Sequence, residues 1–427
     1  MKRILSVLLA VCLLAGLAVV GAVSANADFT TAPMFTGGDG HSVVLKSDGT
    51  IWTCGYNIIG QLGDGTTTER RTPVQVSGLS GVTAVAAANY FSLALKSDGT
   101  VWAWGANGYG QLGDGTTTER RTPVQVSGLS GITAIAAGNY GHSLALKSDG
   151  TVWAWGCNEY YELGEGTLTN RSTPVQVLGA SGVTALAAGR NFSLALKGDG
   201  TVWGWGYNSC GQLGDDTRTE AIVPVQVVGL SGATAIAAGY DHSLALKSDG
   251  TVWAWGWNEY GQIGDSTNTW RDAPVQVSGL SDVTAIATGS AHSLALKSDG
   301  TVWAWGRNDW CQLGDGTTTN RSTPVQVKGL SNITTIGSGK MHSFALKNDG
   351  TVWGWGENYS GQLGNTAILA QAYTPIQMKG AGGVGWFNAK GADFPASASA
   401  HFWVIWPSWL QFILRYLLFG WLWMGWF

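Results

Sequence analysis

Between residues 30 and 390 the chain is a succession of short apolar runs cut by glycine and by polar clusters. No apolar stripe recurs at helical spacing, and alternation at period two predicts half-buried strands instead. One stretch shows the unit. Residues 133 to 138 (Thr-Ala-Ile-Ala-Ala-Gly) read as an inner strand. Residues 143 to 147 (Ser-Leu-Ala-Leu-Lys) and 151 to 156 (Thr-Val-Trp-Ala-Trp-Gly) read as a hairpin across Ser148, Asp149 and Gly150. Asp-Gly between alternating apolar residues is a strong hairpin signal, because the turn needs positive φ and glycine adopts it freely. A Gly-rich stretch ending in Leu163 and Gly164 follows, then a polar loop. Residues 173 to 177 (Thr-Pro-Val-Gln-Val) close the unit as an outer strand whose proline suits a sheet edge.

This unit returns seven times, with its Asp-Gly at Asp48, Asp98, Asp149, Asp199, Asp249, Asp299 and Asp349. The spacings are 50, 51, 50, 50, 50 and 50 residues. A fixed period in this range marks a solenoid, propeller or array. Four strands per unit and seven units fit a closed ring of blades, which also protects the sheet edges. The expected fold is therefore all-β, a seven-bladed β-propeller of about 50-residue four-stranded repeats. Either residues 29 to 40 or residues 383 to 387 would complete the blade shared between the ends, and the pattern leaves that choice open.

The phrase Gly-Gln-Leu-Gly-Asp-Gly at residues 60 to 65 and 110 to 115, with His242-Ser243-Leu244-Ala245-Leu246 running on to Trp253-Ala254-Trp255-Gly256, resembles the regulator of chromosome condensation repeat family. The resemblance covers roughly residues 29 to 390. It implies a seven-bladed propeller. The founding members of the family are nuclear exchange factors for a small GTPase, but a fold does not carry its function with it.

Composition changes the picture at the ends. Lys2 and Arg3, an apolar run from residue 4 to about 23, and Ala25-Asn26-Ala27 have the layout of a secretory signal peptide over residues 1–27. An uncleaved N-terminal anchor is the other reading. Loss of Lys2 and Arg3 leaves 22 basic against 28 acidic residues, a net charge of about −6. That balance offers no electrostatic footprint for nucleic acid, and export argues against a nuclear role. The propeller then occupies residues 28–390, with a linker over 391–400. Residues 401–427 hold six tryptophans and a single charged residue, Arg415. The 20 residues from 408 to 427 are long enough to span a bilayer. Three readings of this tail stand: a membrane anchor, a gene-end artefact, or a segment docking on a partner.

Little else in the sequence marks chemistry. Cys54, Cys157, Cys210 and Cys311 occupy different registers, and only Cys157 and Cys210 lie in adjacent copies. Cys54 replaces the second tryptophan of the Trp-x-Trp pair and reads as core. His41, His142, His242, His292 and His342 share one register, but Phe91 and Phe192 fill it in the other two copies. A position exchangeable with phenylalanine is structural, and successive blades hold such positions too far apart for one metal ion. The turns at Asp64-Gly65-Thr66 and Asp114-Gly115-Thr116 lack the spaced oxygen ligands of a calcium loop. No catalytic motif appears, so the chain reads as a non-enzyme without a cofactor.

Differences between the copies point to where binding would sit. One variable stretch precedes the recurring serine: Asn139-Tyr140-Gly141, Arg190-Asn191, Tyr240-Asp241, Ser290-Ala291 and Lys340-Met341. The one-residue insertion that breaks the period falls here, at about Gly141. The other stretch follows Trp-x-Trp-Gly: Gly108-Tyr109, Glu159-Tyr160, Ser209-Cys210, Glu259-Tyr260, Asp309-Trp310 and Tyr359-Ser360. Candidate partner-binding residues are Tyr109, Tyr140, Glu159, Tyr160, Arg190, Tyr240, Asp241, Glu259, Tyr260, Asp309, Trp310 and Tyr359. Tyrosine and tryptophan supply large contact area at low entropy cost. The competing reading is that these rings pack between blades.

The leading expectation is an exported, monomeric, non-enzymatic scaffold presenting variable loops to a protein or surface polysaccharide. The alternative is an inhibitor of a secreted enzyme such as a β-lactamase. Some exported bacterial propellers of related repeat type are similar to inhibitors that cap an active site with an aromatic-rich face, although the repeats here are longer. A hydrolytic enzyme using the central channel is a third class. Residues 60 to 81 and 110 to 131 are identical over 22 positions, which suggests recent duplication within the gene.

Overall fold

A computed structural model describes residues 30–395. It holds 28 strands in seven four-stranded antiparallel sheets, with one short 3-10 turn at Ala381–Gly383. Every sheet is built from strands consecutive in the chain, inner to outer. Blade 1 contains β1 (Met34–Gly37), β2 (His41–Leu45), β3 (Ile51–Gly55) and β4 (Arg70–Gln75). Blade 3 contains β9 (Ile132–Gly138), β10 (His142–Lys147), β11 (Val152–Gly156) and β12 (Arg171–Gln176). The seven-bladed propeller is the fold. The outer strand starts two residues earlier than its pattern suggests, at Arg171, and Pro174 sits in a bulge between the Ala154–Val175 and Gly156–Arg171 pairs. An edge bulge tolerates the missing N–H.

The hairpin phrase Asp-Gly-Thr-x-Trp has a local explanation. Asp48 Oδ1 accepts from the Thr50 N–H at 2.9 Å and from its hydroxyl at 2.6 Å. The Thr50 oxygen then accepts from Trp52 Nε1 at 3.1 Å. Gly49 carries the required positive φ of 76°.

Blades are joined by the second tryptophan of each pair. Trp104, Trp155, Trp205, Trp255, Trp305 and Trp355 are fully buried. Each donates its Nε1 to a backbone carbonyl of the preceding blade, as Trp255 does to Gln212 O at 2.8 Å. The recurring serine donates to the same carbonyl, as Ser243 does at 2.8 Å. Cys54 keeps this arrangement, with Sγ 3.3 Å from Gln362 O. Its small side chain leaves room that Met378 fills where the other copies carry valine, so both side chains meet at Gly364. The core reading of Cys54 is correct.

Both ends of the chain close the ring. The N-terminal β1 supplies the inner strand of blade 1. The C-terminal segment supplies the position just before it: Ala389 N donates to Gly350 O of blade 7, and Ser47 N of blade 1 donates to Ala389 O, each at 2.9 Å. Phe387 is buried against Trp52, and Lys46 pairs with Asp393 at 2.8 Å. Beyond the boundary drawn at 390, Gly391 and Asp393 are tied to blade 1 through Lys46, and Phe394 bridges back to Trp386. The signal-peptide reading (1–27) and the tail reading (401–427) lie outside the described residues. Among those described, no helix is long and apolar enough to cross a membrane.

Candidate functional site

The two variable stretches become one surface. His142 pairs with Gly156 across the hairpin, so the loop entering strand two and the turn leaving strand three lie at the same end of the sheet. The Asp-Gly turns lie at the other end. Seven copies of this geometry put the two variable stretches on one face of the propeller, and the recurring Asp-Gly turns on the opposite face.

On the variable face Tyr140, Glu159, Arg190, Glu259, Asp309 and Tyr359 are exposed, with Tyr140 at 39% and Tyr359 at 51%. Tyr109, Tyr160, Tyr240, Tyr260 and Trp310 are half-buried, and Asp241 is buried. The rings pair with neighbours. Tyr109 stacks on Tyr140 with centroids 5.9 Å apart, and Tyr160 meets Tyr207 at 4.9 Å. Trp257 meets Tyr260 at 5.3 Å, and Trp310 meets Tyr359 at 5.6 Å. The Arg307 guanidinium lies 4.9 Å from the Tyr260 centroid. Both readings of these rings therefore hold in part: they pack between loops and still offer faces and edges to solvent. Hydrogen bonding to Tyr140, with burial, pushes the Tyr109 hydroxyl up to about 12.

Around the axis the first variable stretch forms a ring, of which the sequence singled out Arg190 and Tyr240 but not Asp39 or Asn89. Asp39, Asn89, Asn139, Arg190, Tyr240, Ser290 and Lys340, one per blade, line the channel mouth. Backbone bonds run from blade to blade: Arg190 N to Tyr240 O at 3.1 Å, Tyr240 N to Ser290 O at 3.0 Å, Ser290 N to Lys340 O at 3.1 Å and Lys340 N to Gly38 O at 2.9 Å. Side chains bridge the opening, with the Tyr240 hydroxyl donating across to Asn89 Oδ1 at 3.1 Å and Lys340 meeting Asp39 at 2.9 Å. Their signal was available, since they share the register two or three residues before the histidine or phenylalanine. Below the mouth a cavity of about 250 Å³ is lined by small inner-strand residues such as Ala86, Ala136 and Gly289.

Three carboxylates on this face stand above the ordinary range, Glu162 among them through burial. Burial raises Asp241, opposed by Arg190 at 3.7 Å. Burial and then the Asp39 charge raise Glu357, opposed by Lys340.

The recurring polar residues are occupied by the scaffold. Each histidine Nε2 lies 3.0–3.1 Å from the serine hydroxyl of the next blade: His41 with Ser92, His142 with Ser193, His242 with Ser293, His292 with Ser343 and His342 with Ser42. Each serine donates to a carbonyl, so the imidazole donates from Nε2, and the buried Nδ1, without a partner, fits the neutral form. Burial draws all five down to about 3. Asp64 accepts from Thr66 and Asn57 and pairs with Arg70 at 2.8 Å, which uses up the carboxylate of the calcium-like turn. Cys54, Cys157, Cys210 and Cys311 are all free thiols. Among the described residues no three metal-ligating side chains cluster.

Comparison with known proteins agrees with this architecture. The RCC1-like domain profile matches residues 21–336 and, overlapping them, 166–392. Yeast RCC1 (Prp20), solved in complex with Kap60, is similar at 23% identity over 83% of this chain and 86% of that one, with a TM-score of 0.70. Prp20p from Saccharomyces cerevisiae is similar at 25% identity over 82% and 88%, with a TM-score of 0.69. Human WBSCR16 is similar at 24% identity over 78% and 94%, also at 0.69. The Trp-linked blades, the duplicated hairpins and the profile match over most of the chain lead to one conclusion: this protein belongs to the RCC1-like domain family.

Proposed function

We propose that this protein is a non-enzymatic binding scaffold that engages a protein partner through the variable face. One observation carries the reading. Recurring residues are consumed by turns and blade junctions, whereas the two variable loop stretches converge on one face and leave aromatic and charged side chains accessible. Similar propellers support a protein partner: yeast RCC1 is bound by Kap60, and Prp20p has binding properties toward Gsp1p and histones. The partner here faces mixed charge, with Glu159, Glu259 and Asp309 beside Arg190 and Arg307. The aromatic pairs are spread over several blade junctions rather than gathered in one patch. That spread favours a broad rim over the compact cap expected of a secreted-enzyme inhibitor. Export remains part of the reading on the strength of residues 1–27.

The test compares proteins retained by the wild-type chain with those retained by a Trp310→Ala/Tyr359→Ala variant and by a variant altered only at the Asp-Gly face, such as Lys297→Ala. Selective loss on the Trp310/Tyr359 variant supports the reading, and equal retention by all three removes it. Fractionation of cells carrying the full chain and a version ending before His401 tests export and anchoring. Retention of both forms in the cytosol would dismiss export.

A further inference from the structure

The ring of backbone bonds around the channel mouth has one gap, between blades 2 and 3. Asp39 N reaches Asn89 O, and Asn139 N reaches Gly189 O, but no such bond links Asn89 to blade 3. The gap coincides with the inserted Gly141, whose φ of 113° suits glycine. The extra residue displaces the loop and leaves a cleft of about 330 Å³ found at that junction. Tyr90, Tyr109 and Tyr140 wall it, Phe91 and Gln111 lie at its base, and Asn139 stands at its edge.

Gln111 is the informative residue. It is 5% exposed, and its Oε1 accepts from Tyr109 N at 2.9 Å. At three other junctions the equivalent side chain meets the residue just before the next blade's histidine or phenylalanine, whereas Gln61 Nε2 and Gln262 Nε2 are buried without a partner. Gln212 Nε2 lies 3.4 Å from Asp241 Oδ1, Gln312 Nε2 lies 3.6 Å from Met341 Sδ, and Asn191 Nδ2 lies 3.5 Å from Glu162 Oε1. At blade 3 that residue is Gly141, which has no side chain to offer. The Gln111 Nε2 donor is left without a protein partner beside the cleft, where a Cβ on Gly141 would stand 3.3 Å from it. Unlike the sealed amides of Gln61 and Gln262, this donor stays open to the cleft, where an entering group can accept from it.

We propose that this cleft binds one neutral pyranose ring of an oligosaccharide. The proposal deepens the reading of the variable face as a binding surface. No carboxylate, lysine or arginine lines the cleft, so a charged group would lose hydration without compensation. Aromatic walls suit the C–H face of a sugar, while the amides of Gln111 and Asn139 suit its hydroxyl edge.

The full chain is screened against neutral and acidic oligosaccharides, and the tightest neutral one is titrated by calorimetry. A neutral sugar binds, and Tyr140→Ala and Gln111→Leu weaken it at least tenfold, whereas Ile222→Ala, at an exposed outer-strand position, leaves it unchanged. Deletion of Gly141, which restores the 50-residue period, abolishes binding. Absence of any neutral-sugar binding, a preference for acidic sugars or for a proline-rich peptide, or undiminished binding by Tyr140→Ala overturns the proposal. A protein partner still lost on Trp310→Ala/Tyr359→Ala would then show that only the sugar site had failed.

Discussion

The buried junctions and the variable face belong to the same blades, yet they are built on opposite rules. At a junction, Trp255 and Ser243 converge on the Gln212 carbonyl, and the same three parts recur around the ring. At the face, the equivalent loop position is Asp39, Asn89, Asn139, Arg190, Tyr240, Ser290 or Lys340. Repetition therefore reports assembly, and divergence reports what remains free to contact something else. Even the exceptions follow this rule. Cys54 departs from tryptophan, and Met378 departs from valine to fill the space.

Acid is expected to break the junctions most severely. The five buried histidines are neutral in the folded protein, with values near 3 against 6.5 ordinarily. The unfolded chain takes up these protons below pH 6.5, whereas the folded chain does not until near pH 3. Their contribution is complete above pH 6.5 and is lost as pH falls through that window. At pH 5 the loss is about 2 kcal/mol per histidine, on the order of 10 kcal/mol for five as an upper bound. That rivals the whole stability of a typical domain. Tryptophan fluorescence against pH should show unfolding well above pH 3, and His242→Phe/His292→Phe should flatten the acid slope. An unchanged slope would contradict the assignment of protons.

Removing one wedge is next in size. Trp255→Ala should cost about 3–5 kcal/mol by cavity formation, read by denaturant unfolding. Trp253→Ala, at the half-buried first tryptophan of the same pair, should cost less. Equal losses would mean that the two positions do not differ as argued.

The closing junction sharpens the comparison further. Cys54→Trp alone should overpack against Met378 and destabilise by about 1–3 kcal/mol. Cys54→Trp with Met378→Val should recover most of that loss, since it recreates the composition of the other junctions. A purely additive double mutant would refute the compensation.

The smallest effect belongs to the face. Tyr359→Ala should change stability by no more than about 0.5 kcal/mol, as exposed positions do. A large loss in the same unfolding experiment would make that ring part of the scaffold.

Hairpins were legible because Asp149, Gly150 and Thr151 act on residues two positions away. Cys54 was legible as core because six sister copies show tryptophan there. The histidine register could be dismissed as a metal site from Phe91 and Phe192, but not assigned its role. Its partner serine lies 51 residues away, in the next blade. The channel-mouth residues were named only in part, and not as a ring, for a related reason: Tyr240 and Asn89 are 151 residues apart and meet only across the axis. Closure remained an either-or because Met34–Gly37 supplies the inner strand of blade 1 while Ala389, from the other end, bridges it to blade 7.

By itself the sequence determined the repeat, its four strands, its turns and the division between recurring and variable positions. Period-two patterning and turn chemistry act over a few residues, and seven copies repeat the message. Only the tertiary structure decided that the variable stretches share a face, that both ends seal one blade, and that the inserted glycine opens a cleft beside Gln111. Those facts depend on contacts between blades. Such contacts exist only once the ring has closed.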